Sequence, residues 1–227
     1  MAHVNTPRAT RVERARQTRR RMIDSARELF VAQGFAATTM DQIAADAGVA
    51  VQTLYYTFQT KGNLLREVVE VTAAGEEIPA PRAQPAWVQE MLSAAAPHEV
   101  LTLGIEHGTA IYERVASLWP ALAAAASADP SMDDYWRGVT ARRRSGQRAM
   151  VARIAELGGL HPDWDVERAT DLVVVLVGPD VYRGLVREAG WTVSAYKAWL
   201  FSVLVEQLVV TRKRPGVGTE PRRDDRI

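Results

Sequence analysis

Residues 51–58, VQTLYYTF, carry Gln52, Thr53, Tyr55, Tyr56 and Thr57, five neutral hydrogen-bonding side chains with no charge among them. Leu54 and Phe58, four residues apart, share the opposite face of the helix that this spacing predicts. A surface of amides and hydroxyls suits base edges and phosphates in a major groove better than it suits plain solvation. Catalytic chemistry has no comparable candidate. None of His3, His98, His107 and His161 has a Glu three residues ahead, so the Glu-x-x-His pairs of di-iron bundles are missing. His98-Glu99 begins like a zinc-protease helix, but Thr102 stands where the second histidine belongs. No Gly-x-Ser-x-Gly elbow, P-loop or dinucleotide-binding glycine pattern occurs. With no cysteine, disulfides, thiolate metal sites and a cysteine nucleophile are excluded. The sequence reads as a binding protein rather than an enzyme, with no cofactor and no metal.

The polar face needs elements to hold it. Thr39 is a natural N-cap, Gln42 completes a capping box with it, and Asp41 lies in the first turn. Ile43, Ala44 and Ala47 fall on one face of that short helix, and Gly48 can take the left-handed conformation that ends it. Helix, tight turn and second helix make a helix-turn-helix, with 51–58 as the groove-entering segment. Ahead of it, a helix over 18–33, capped by Thr18 and stopped at Gly34, braces the motif with Met22 or Ile23, Ala26, Leu29 and Phe30. Behind it, Thr60 caps a helix over 61–71 that buries Leu64, Leu65, Val68 and Val69. The positive end of that helix and the Lys61 ammonium are both expected to point at a phosphate.

The wording of the motif is more specific than its pattern. Gly48-Val49, Thr53-Leu54-Tyr55, Phe58, Lys61 and Leu64-Leu65 closely resemble the TetR family of one-component transcriptional regulators. So do Ile23, Ala26, Leu29, Phe30, Gly34 and Phe35 in the preceding helix. The close resemblance covers 18–71, with a looser likeness in Leu176-Val177-Gly178-Pro179 through Tyr182-Arg183. Three positions depart from the family: Ala50 replaces a usual serine cap, Thr57 a usual histidine, and Gly62 a usual acidic or helix-forming residue.

Charge agrees with a duplex binder. Residues 1–66 hold ten Lys/Arg against five Asp/Glu, whereas the remainder holds eighteen against twenty-two, so the formal net charge of +1 hides a basic N-terminal part. Only three of the 28 basic residues are lysine, so part of the arginine excess reflects general composition. Arg19-Arg20-Arg21 run straight into Asp24, Arg27 and Glu28 with no apolar signal core, and the run 172–177 is far short of a bilayer span. A cytoplasmic location is expected, with no membrane partner.

The fold class that follows is all-α: a helix-turn-helix DNA-binding head joined to a helical effector-binding and dimerisation domain. Residues 1–17 are expected to be a flexible basic arm, 18–74 the head with its connecting helix, 75–85 a proline-rich linker, 86–210 the second domain and 211–227 a disordered tail. Helices are expected over 87–93, 99–119, 121–128, 132–157, 165–189 with a kink at Pro179, and 192–210. Leu172, Leu176, Tyr196, Leu200, Val203 and Leu204 are candidates for a two-fold interface; the alternative is a large core. The resemblance implies the interface, and also an effector pocket in the middle helices. Aromatic and Met residues there, Trp87, Met91, Tyr112, Trp119, Trp136, Met150 and Tyr182, join the polar candidates Glu106, His107 and Arg143.

What the resemblance implies is a homodimeric, ligand-responsive repressor on an inverted-repeat operator of double-stranded DNA, released by a small, largely apolar effector. It places Val51, Gln52, Thr53 and Tyr56 toward bases, and Thr39, Tyr55, Thr57 and Lys61 on phosphates. The rivals are an activator or architectural protein with the same head, and a helical-bundle enzyme with an incidental helix-turn-helix.

Overall fold

The computed structural model describes residues 10–75 and 86–210, and every structural statement below concerns those residues. The head is α1 (Arg11–Ala37), α2 (Met40–Asp46), α3 (Val51–Phe58) and α4 (Lys61–Ala74). The body is α5 (Ala86–Ser93), α6 (Pro97–Val115), α7 (Trp119–Ala128), α8 (Pro130–Glu156), α9 (Val166–Leu176), α10 (Pro179–Tyr182) and α11 (Val193–Leu208), with a π-helical turn over Arg183–Glu188. The described residues form no strand, and an isolated bridge pairs Leu160 with Val209. None of these helices is long and apolar enough to cross a membrane.

The chain enters α1 earlier than its apolar pattern predicts. Thr10, not Thr18, is the N-cap, accepting from the Glu13 amide at 3.2 Å, so residues 11–17 are helical rather than a flexible arm. This turn is rich in strong helix formers and exposes Val12, its sole large apolar residue, so propensity builds what no buried stripe announces. The helix breaks where expected, at Gly34, whose φ of 80° only glycine adopts at little cost. The remainder of the arm (1–9), nearly all of the linker and the 211–227 tail lie outside the described residues.

Burial divides the molecule differently from the chain. One core joins Phe30, Ile43, Leu54, Leu64 and Leu65 of the head to Leu118, Leu122, Ala125 and Met132 around α7 and the start of α8. The other joins Leu101, Ile105, Ile154, Val173, Tyr196, Leu200 and Leu204 across α6, α8, α9 and α11. α7 therefore belongs to the head's core although it lies far along the chain. Alanines Ala121 and Ala125 let α7 lie close against its neighbours.

Three interface candidates are corrected here. Tyr196, Leu200 and Leu204 are 0% exposed within one chain and are core, because α11 sinks one face against α6. Leu172, Leu176 and Val203 stay half-buried, and Val175 beside them is 64% exposed. The helix expected over 165–189 is three pieces: α9 ends at Leu176 with Val177 as its C-cap, Gly178 breaks the chain, and Pro179 opens α10 at a position where its missing N–H costs nothing. Trp119 likewise begins α7 instead of closing α6.

The shared core makes head and α7 one cooperative unit. Leu122→Ala should cost about 2–5 kcal/mol. In urea unfolding followed by far-ultraviolet circular dichroism and by tryptophan fluorescence, both signals should shift together; separate transitions would refute the shared core.

Candidate nucleic-acid interface and effector cavity

The reading surface is assembled by caps. The Thr39 hydroxyl accepts from the Gln42 amide at 3.2 Å, while Gln42 Oε1 accepts from the Thr39 amide at 2.9 Å, closing the expected capping box. At the other end of α2 the Val49 amide donates to Ala44 O (2.9 Å) and the Gly48 amide to Ala45 O (3.2 Å), with Gly48 at φ 64°. This crossed pair is a Schellman turn, and it sets the angle at which α3 leaves α2. Buried Thr38 ties the end of α1 to the motif through a 2.7 Å bond from its hydroxyl to Gly34 O.

α3 then presents its polar face outward. Leu54 and Phe58 are buried, while Gln52 and Thr53 are exposed, Tyr55 is 49% exposed and Tyr56 91% exposed. Val51 is half-buried and packs on the head core. Ala50 caps nothing with its side chain, so the first amides of α3 have no side-chain acceptor. The Thr57 hydroxyl is turned back to donate to Thr53 O at 2.7 Å. Gln59, at φ 65°, carries the strained turn into α4, a role no motif in the sequence announced.

Lys61 spends two of its three N–H donors inside the head. Its ammonium donates to Phe35 O at 2.7 Å and to Thr38 O at 2.8 Å, and sits 4.3 Å from the centroid of the Phe35 ring. Burial lowers its pKa from the ordinary 10.5. The cation answers carbonyls left open where α1 ends, locking the first turn of α4 to the brace helix. Arg19 works alongside, pairing with Glu67 at 2.9 Å and lying over the Phe58 ring at 4.9 Å.

The last turns of α4 reach a second site. A cavity of about 480 Å³ lies between the two cores, bounded by Val69, Glu70 and Ala73 of α4 and by residues of α5, α6, α7 and α8. Of the candidates from sequence, Trp87, Met91, Tyr112, Trp119, Arg143 and Met150 line it. The others do not. Trp136 backs Trp119 at 4.8 Å, His107 stacks on Trp87 at 5.0 Å, and Tyr182 sits behind Tyr112 at 6.4 Å. Glu106 is turned away into an ion pair with Lys197.

Gln147 and Arg142 escaped the sequence reading of this cavity, as did the glycines Gly104, Gly108 and Gly146. A usable signal existed: Gln147 follows Arg143 by one helical turn, and Gly104 precedes Gly108 by the same step. A methyl at Gly104 would stand 2.3 Å from Met150 Sδ, so this glycine lets α6 approach α8. The Tyr112 hydroxyl and Gln147 Nε2 both donate to Val177 O, at 2.9 and 2.8 Å, occupying the carbonyl at the break after α9. Burial raises the Tyr112 pKa, opposed by the Arg143 charge beside it.

Residues 22–68 match the family model described as bacterial regulatory proteins, tetR family. Over 55 residues, 24% of this chain, it is 47% identical to the uncharacterized HTH-type transcriptional regulator TtgW of Pseudomonas putida, spanning 41% of that protein. It is equally identical over 55 residues to the HTH-type transcriptional regulator SrpR of Pseudomonas putida, spanning 26% of it. Similar folds cover far more. A protein from Saccharomonospora viridis in complex with choline superposes with a TM-score of 0.67 at 18% identity, covering 86% of this chain and 100% of that one. NalD of Pseudomonas aeruginosa, the secondary repressor of the MexAB-OprM multidrug efflux pump, superposes at 0.65 and 18% identity, covering 86% and 98%. The head is therefore similar to the DNA-binding segment of helix-turn-helix regulators, and the fold as a whole to the solved structures above. The family match is confined to the head, and the chain spans less than half the length of the curated relatives it matches.

Lys61 separates clamp from contact. Lys61→Met should destabilise the protein by about 1–3 kcal/mol, the range for bonds to a charged donor. It should leave the slope of log K against log salt unchanged for DNA binding. A slope reduced by about one would return Lys61 to the phosphates.

Proposed function

We propose that this protein is a homodimeric repressor that reads an inverted-repeat operator and is released from it by a small, largely apolar effector. What carries the reading is α4. Its first turn is clamped to the head by Lys61, and its last turns supply Val69, Glu70 and Ala73 to the cavity wall. A molecule that prefers one arrangement of the cavity thereby prefers one setting of α3, and DNA affinity changes by that difference in binding energy.

On DNA, Gln52, Thr53 and Tyr56 approach bases, with Val51 able to meet a thymine methyl at the helix edge. Thr39, Tyr55 and Thr57 lie on the phosphate side and set register. Lys61 keeps its structural role. Exposed Arg11 and Arg14 on the first turns of α1 add positive charge close to the duplex.

One helix-turn-helix meets few base pairs, so selective binding favours two heads at a fixed spacing. Leu172, Val175 and Leu176 fall on one face of α9, and Val203 stands out from α11; they remain unburied enough to meet a second copy. The choline complex of the Saccharomonospora viridis neighbour supports a small-molecule response for this fold. The repressor named among the neighbours supports the sign of control. Action on DNA fits a cytoplasmic location.

Selection from random duplexes should return an inverted repeat with half-site centres about one helical turn, or a multiple of it, apart. On that sequence Gln52→Ala and Tyr56→Ala should each cost about 1–3 kcal/mol while random DNA loses little. Losses equal on both DNAs would overturn the assignment of bases to α3. Light scattering should give a dimer mass that Val175→Glu lowers; a wild-type monomer would remove the two-headed geometry.

A further inference from the structure

The cavity is largely apolar, and one of its two polar places is unfinished. Arg143 and Gln147 stand one turn apart on α8 and both line it. Arg143 makes no ion pair among the described residues, and its Nε is buried without a partner. Gln147 is 8% exposed, and its Oε1 is also buried without a partner. The amide is held in this sense because its Nε2 donates to Val177 O; the flipped amide would set oxygen against oxygen. The Arg143 guanidinium, which also meets the Tyr112 hydroxyl, and the Gln147 amide thus border the same cavity with a buried donor and a buried acceptor that the chain itself leaves unpaired.

The other charges of the cavity answer each other. Glu70 accepts from the Tyr135 hydroxyl at 2.8 Å and from Arg142 at 3.3 Å, which leaves the Arg143 charge without a counter-ion. The Trp119 ring, 5.8 Å from the Arg143 guanidinium, is a weak substitute for a carboxylate. A buried guanidinium donor and a buried amide oxygen both carry a desolvation cost until something hydrogen-bonds to them. Around them the walls are Ile111, Leu122, the flat ring of Trp119 and the flexible side chains of Met91 and Met150, apolar groups fitted to an apolar body.

We propose that the effector is an amphipathic organic acid. Its carboxylate accepts from Arg143, a hydroxyl or amide N–H beside the carboxylate donates to Gln147 Oε1, and its apolar body lies against the Met and Trp walls. This rests on reading the cavity as the effector site. It assigns that effector a charge, and one opposite to the quaternary ammonium held by the Saccharomonospora viridis neighbour. Val177 O, which accepts from Gln147 and from Tyr112, ties the polar wall to the chain break after α9, beside the face assigned to the second copy.

The test uses the full chain and its tryptophan fluorescence, since Trp87 and Trp119 line the cavity. The probes are 3-hydroxydodecanoate, neutral dodecane-1,3-diol and dodecyltrimethylammonium, each below its micellar concentration. The acid should bind more tightly than the diol, on the order of tenfold to a hundredfold, with the ammonium weakest. Arg143→Met should erase the preference for the acid while leaving diol binding intact, which also shows the cavity still folded. Arg143→Lys should keep part of the preference, and Gln147→Leu should remove the advantage of 3-hydroxydodecanoate over dodecanoate. A diol that binds as tightly as the acid, or a preference that survives Arg143→Met, overturns the proposal and leaves the cavity standing as an effector site. Failure of all three probes to change the fluorescence or to release selected DNA overturns both.

Discussion

The structure depends on one helix being held at both ends by different neighbours. The first turn of α4 is fastened to the end of α1 by the Lys61 ammonium and two carbonyl oxygens. Its middle, Leu64, Leu65 and Val68, is fully buried in the head core, and its last turn meets Arg114 of α6, which donates to Thr72 O and Ala73 O. In the proposed regulator, a helix bound in this way would transmit displacement as a rod, because its interior is too closely packed to absorb a shift locally. The tight Schellman turn and capping box then hand any movement of the head's frame on to α3 without slack.

The cavity is the complementary half of that arrangement. Packing that closed the seam between the cores would gain dispersion contacts and apolar burial. The chain instead keeps a void of about 480 Å³ there, lined by flexible methionines, by glycines that draw α6 toward α8, and by polar atoms without partners. Such features weaken a structure that has only to be stable, and they are the features a binding site requires. The seam also runs beside α7, which the head's core has recruited from the middle of the body, so the wall of the cavity and the brace of the head share Leu118, Trp119 and Leu122.

The head was legible because its signals are local. A cap, a box three residues on, a glycine at the end of a short helix and apolar residues four apart all act within one or two turns, and Thr39, Gln42, Gly48, Leu54 and Phe58 do what those spacings imply. The cavity was legible only by residue type. Large aromatic and Met side chains mark where an apolar space can form, yet nothing local tells Trp119, on the wall, from Trp136, one layer behind it. Gln147 was passed over because an amide on a long amphipathic helix looks like any solvated residue until its partner, Val177 O, is brought beside it from thirty residues away. The start of α1 was misplaced for the opposite reason: helix propensity acted where no apolar periodicity could show it.

Short-range chemistry alone therefore set the identity of the head, its polar reading face and the all-helical character of the body. Long-range packing settled the rest. It turned Lys61 inward to carbonyls, took Tyr196, Leu200 and Leu204 out of the outer surface and into the core, and joined α7 to the head. Caps and helical spacing are interactions between neighbours along the chain, so they are written in order. The direction a side chain finally faces depends on which distant helix arrives to cover it, and that follows from the burial of the whole chain at once.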